Sequence, residues 1–170
     1  MNLLRRALCL SGATYLATGC VAPHTFVLAQ AVGPPPGKVS ANAGQGNLVV
    51  YSAWDGLDTG DADHEKHSSY AILSGEGVLI KRVPNRCGSF GGNPQTVNLP
   101  PGAYQLEARA SNFGVVSIPI LIEPNQETVV RLDGSMDTKG LEGSAGDLVR
   151  LPNGQPVGWG AGKDGRLPRR

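Results

Sequence analysis

The sequence predicts an all-β fold, and three observations carry that expectation. Short apolar runs recur through residues 47–133. Turn residues separate them, drawn from 24 glycines and 13 prolines in 170 residues, well above ordinary usage. No stretch of the chain holds the 3.6-residue apolar period of an amphipathic helix. With 40% hydrophobic residues the chain can build one small core, which excludes full disorder.

The elements follow in chain order. Residues 1–19 open with Arg5 and Arg6 and continue as the uncharged run Ala7 to Ala17. That run is too short to cross a hydrocarbon core of about 30 Å, but it suits the hydrophobic region of a signal peptide. Leu16-Ala17-Thr18-Gly19-Cys20 closes it. This resembles the lipobox of bacterial lipoproteins, which implies cleavage before Cys20 and acylation (palmitate-type chains) at that residue. Several acyl chains anchor stably where one would be marginal. Ala29-Gln30-Ala31 is a rival small-x-small site, and cleavage there would release a soluble protein starting at Val32. Removing residues 1–19 takes the formal charge from +1 to −1. Residues 20–46, with Pro34-Pro35-Pro36-Gly37, read as a flexible, lipid-anchored tether.

Residues 47–133 read as the folded domain. Strands are expected at Asn47 to Ala53, Ser69 to Leu73, Val78 to Val83, Thr96 to Leu99, Ala103 to Ala110, Val115 to Ile122 and Glu127 to Leu132. Gly75-Glu76-Gly77 makes a hairpin of the second and third. Pro100-Pro101-Gly102 reads as a turn, with Gly102 supplying positive φ. Tyr104, Leu106, Ala108 and Ala110 alternate onto one face. Pro119 argues that its strand is an edge or carries a bulge. Seven such strands predict an antiparallel two-sheet β-sandwich of roughly immunoglobulin size. Its inner faces would hold Leu48, Val50, Tyr70, Ile72, Leu79, Val97, Leu99, the Tyr104 face, Ile118, Ile120, Ile122, Val129 and Trp54. Residues 134–147 read as a linker. Residues 148–160, turning at Asn153-Gly154, read as a short hairpin or docking segment anchored by Trp159. Residues 161–170 read as a disordered tail.

Leu99-Pro100-Pro101-Gly102-Ala103-Tyr104, followed by Ile122-Glu123-Pro124-Asn125-Gln126-Glu127-Thr128, resembles the second half of carboxypeptidase-regulatory-like and PEGA-type domains. The likeness spans residues 95–133, and only the strand pattern extends it over 47–94. Asn125 stands where the pattern usually has Gly. The resemblance implies a prealbumin-like or immunoglobulin-like sandwich acting as a non-catalytic accessory module. The stretches Asn47 to Trp54 and Asp147 to Trp159 also resemble small bacterial lipoproteins.

The chemistry-bearing residues are few. Asp55 to His67 is an acidic run in which Asp61, Asp63, His64 and His67 could hold a divalent metal. Its carboxylates lack the alternate spacing of a calcium loop, and such runs are ordinarily solvated. Lys81, Arg82 and Arg86 form a small basic group that could meet an anionic glycan, or simply guard a strand edge. Cys87 beside Arg86 has no recognisable catalytic partner, and an inert thiol is the plainer reading. No Gly-x-Ser-x-Gly elbow and no phosphate loop occurs. The near-zero net charge gives no nucleic-acid footprint. The sequence thus leads to a non-catalytic envelope module without a cofactor. Its expected partners are the membrane, through its anchor, and an envelope protein or glycan. A metal-binding module and a soluble exported module are the alternatives.

Overall fold

The computed structural model describes residues 25–35, 44–54, 67–85, 94–139 and 147–162. These residues form strands and turns with no α-helix among them. The strands are β1 (Phe26–Val27), β2 (Val32–Gly33), β3 (Gly46–Tyr51), β4 (Tyr70–Ser74), β5 (Leu79–Val83), β6 (Thr96–Leu99), β7 (Gly102–Ala110), β8 (Gly114–Ile122), β9 (Glu127–Arg131), β10 (Leu148–Arg150) and β11 (Pro156–Gly160).

The meander β4-β5 and β7-β8 is the framework. β7 and β8 are nine residues each and pair from Gly102↔Ile122 to Ala110↔Gly114. Their connection turns through Asn112 at φ 60° and Gly114 at φ 99°, positive values that Asn and Gly tolerate best. β4 pairs with β7 and with β5, so β5 is a sheet edge. The large sheet runs β10-β11-β2-β8-β7-β4-β5, with β1 also against β8. The small sheet runs β6-β3-β9. Leu48, Val50, Val97 and Val130 of the small sheet and Ile72, Leu106, Ile118 and Ile120 of the large one share a single buried core. Burying each such side chain stabilises by about 1.5–3 kcal/mol.

Several expectations change. The sheets are mixed, not antiparallel: β1 and β2 run parallel to β8, and β3 parallel to β9. Among the described residues the seven expected strands appear as β3 to β9, and two segments flanking them, β1–β2 and the β10–β11 hairpin, join the large sheet. β1 and β2 therefore lie within the stretch 20–46, where the sequence predicts tether. The C-terminal hairpin completes this same sheet, with Trp159↔Gly33 and Gly160↔Val32 in register and the Ala161 N–H donating to the Ala31 carbonyl at 2.9 Å.

Pro119 lies inside the sheet, not at an edge. The break between β1 and β2 falls opposite it: β1 ends at the level of Ser117 and β2 begins at Ile120. A strand without an N–H at that point loses little where its neighbour is interrupted.

Gly102 is extended at φ 159°, so the turn before it depends on the two prolines and on Tyr104, whose hydroxyl donates to the Pro100 carbonyl at 2.8 Å. Three expected core residues lie elsewhere. Leu79 and Trp54 are exposed. Val129 sits on the outer face of β9, because Thr128 and Val130 take the buried positions. Two adjacent valines leave the phase of that strand open in the sequence, and pairing with β3 decides it.

Candidate functional site

The register of β3 against β9 sets Tyr51 beside Arg131 on the outer face of the small sheet. The Arg131 guanidinium lies 4.0 Å from the centre of the Tyr51 ring, a cation–π distance. It also donates to Ser135 Oγ at 2.9 Å. Ser135 is held in turn by Asp133, whose Oδ1 accepts from its backbone N–H at 3.1 Å and its hydroxyl at 2.8 Å. This side-chain turn bends the chain back along β9.

Across from this bend stands β11. Gly158 lets it approach closely, since a Cβ there would lie 2.6 Å from Val32 Cγ1 and 2.8 Å from the Val129 carbonyl oxygen. Between the two lies a cleft of about 480 Å³, lined by Pro35, Val129, Arg131, Ser135, Met136, Asp137, Gly158 and Trp159. Its size is that of a small-ligand site. Half-buried Trp159 lines the same space as Arg131 and Asp137, and Asp137 Oδ1 also accepts from the Lys139 backbone N–H at 2.9 Å. An aromatic face packs against an apolar ring surface, while the charged groups fix hydroxyl or carboxyl oxygens. Among the described residues the lining holds no histidine, cysteine or lysine. A second hollow of about 570 Å³ lies between the β4–β5 and β6–β7 turns. Among the described residues its aromatic is Tyr104, whose hydroxyl already donates to the Pro100 carbonyl.

His67 is the one member of the predicted metal set within the described residues. It is buried, and its ring stacks on Trp54 with centroids 4.1 Å apart and meets the Tyr51 ring edge-on at 5.8 Å. Its Nδ1 lies 2.5 Å from the Ser52 carbonyl oxygen. A carbonyl only accepts, so Nδ1 carries the proton and Nε2 alone could bind a metal. Asp61, Asp63 and His64 lie outside the described residues, as do Cys20, Arg86 and Cys87. Among the described residues no three His, Cys, Asp or Glu side chains gather as ligands. Lys81 and Arg82 are exposed on the edge strand β5.

Beneath His67 is a buried polar knot. The Ser52 hydroxyl donates to the Ser68 carbonyl at 2.6 Å, and Asn85 Nδ2 donates to the Val50 carbonyl at 3.0 Å and to Ser52 Oγ at 2.9 Å. Asn85 is fully buried at φ 51°. The knot ties β3 to the chain just before β4 and just after β5, and so pins both ends of the excursion between Trp54 and His67.

The cleft is partly foreseeable. Trp159 stands out in the sequence as an anchor, whereas Arg131 looks like an ordinary outward residue of an alternating strand. Only its alignment with Tyr51 gives it a site. No family model, no curated protein and no solved structure matches the chain.

Proposed function

We propose that the chain is a non-catalytic module of the bacterial cell envelope that binds a glycan in the cleft between β9 and β11. The observation that carries this reading is the convergence of Trp159, Arg131 and Asp137 on one space of about 480 Å³. An indole face stacks on the C–H face of a sugar ring, and the two charged groups address its hydroxyls. The test is titration of the protein with solubilised peptidoglycan fragments and with lipopolysaccharide core oligosaccharide, followed by calorimetry. Binding is expected to weaken roughly tenfold or more in Trp159→Ala and in Arg131→Ala, a loss of about 1.4 kcal/mol or more. Absence of binding to both glycans, or binding indifferent to both substitutions, sinks the reading.

The same proposal places the lipid anchor at Cys20. Two observations favour that site over cleavage after Ala31. Ala31 and Val32 are buried, and Val32 is held between β8 and β11. A cut after Ala31 would put a charged amine at that buried position, which is costly, and would strip Leu28 from the core. The intact mass of the protein made in a bacterial host, alongside Cys20→Ala, checks this. Added acyl mass on a chain starting at Cys20 is expected, and a start at Val32 overturns it.

A further inference from the structure

We infer that the end of the sandwich carrying Phe26, Val27, Phe113 and Trp54 rests on a phospholipid bilayer surface, an inference that builds on the anchor at Cys20. The argument begins with length. Only residues 21–25 separate Cys20 from β1. From Cys20 to Phe26 the chain spans at most about 20 Å. An anchored domain therefore stays close to the lipid and presents the part of itself nearest β1.

That part is apolar. Val27 is 63% exposed and Phe26 40% exposed, and the Phe26 ring meets Phe113 edge-on at 5.5 Å. Phe113 belongs to the turn joining β7 to β8, so it marks one end of the sheet. Trp54 lies at the same end: the N–H of the residue before it, Ala53, donates to the Arg109 carbonyl one position short of that turn. Trp54 is 42% exposed, although its indole is held by His67. A rigid, half-wet tryptophan beside exposed apolar side chains is the composition that settles at a lipid headgroup boundary. A second exposed apolar group among the described residues, Val78, Leu79 and Ile80, lies on the far edge. It is four strand spacings from β1, roughly 19 Å, and serves as the control.

The test uses the full-length acylated protein in phosphatidylcholine vesicles, with and without brominated acyl chains. The chain has two tryptophans, so Trp159→Phe leaves Trp54 as the sole reporter and Trp54→Phe leaves Trp159. Bromination is expected to quench Trp54 roughly twofold or more and Trp159 little. Val27→Asp with Phe26→Ser should abolish the difference at an unchanged thermal midpoint, and Leu79→Ser should preserve it. Equal or absent quenching of the two reporters, on protein whose mass shows the acyl groups, overturns the inference. Protein without acyl mass overturns the anchor itself, and the two failures are thereby told apart.

Discussion

The β7–β8 ladder and the junction of β2 with β11 occupy one sheet but hold together differently. The ladder runs nine residues with every position paired. β2 meets β8 at a single register pair, and meets β11 at two. The first region is secured by backbone pairing over a continuous apolar face. The second is secured by fit: Val32 and Val157 fully buried, Gly158 tight against Val32 and Val129, and Ala161 bonded back to Ala31. A short strand can belong to a large sheet when side-chain burial supplies what its few hydrogen bonds do not.

The largest expected effect is on the ladder. Ile118 is fully buried in the middle of β8. Ile118→Ala should lower global stability by about 2–5 kcal/mol in denaturant unfolding, since the cavity cannot collapse between two packed sheets. A middle-sized effect is expected where β2 meets β11. Gly158→Val puts a side chain where the nearest backbone atom leaves no room, for about 1–3 kcal/mol. Hydrogen exchange should then show lost protection in β2, β10 and β11, with β7 and β8 unchanged. Equal loss in all of them would make the two regions one cooperative unit and end the comparison.

The smallest effect is electrostatic. Burial holds the Tyr70 hydroxyl well above its ordinary pKa. The unfolded chain therefore ionises at this residue first, beginning near pH 10. The stabilisation is complete below that pH and falls as pH rises, by up to about 1.4 kcal/mol per unit. Tyr70→Phe should flatten this alkaline loss. It should change little at neutral pH, because the hydroxyl has no hydrogen-bond partner among the described residues.

The ladder was legible in the sequence for a physical reason. Residues 103–110 alternate and 115–122 are continuously apolar, so the strand period is visible in the residues themselves. β6 was read to its ends, and the β4–β5 and β10–β11 hairpins were announced by Gly75-Glu76-Gly77 and Asn153-Gly154. β1 and β2 were not legible, since two residues display no period and a proline run follows them. Their place depends on partners more than eighty residues away in sequence. The cleft shares that difficulty, because Arg131 gains its role from Tyr51 and from a glycine that carries no side chain to notice. The metal set of Asp61, Asp63 and His64 falls outside the described residues, and what the structure adds there concerns His67 alone.

The meeting of β2 with β11 also sets an order of assembly. β2 waits, with one flank uncovered, until the segment 156–161 arrives to pair with it. A contact of such long sequence separation forms late and closes slowly. Shortening the chain before Ala161 would leave the Val32 edge open, a bare strand flank offered to any neighbouring chain.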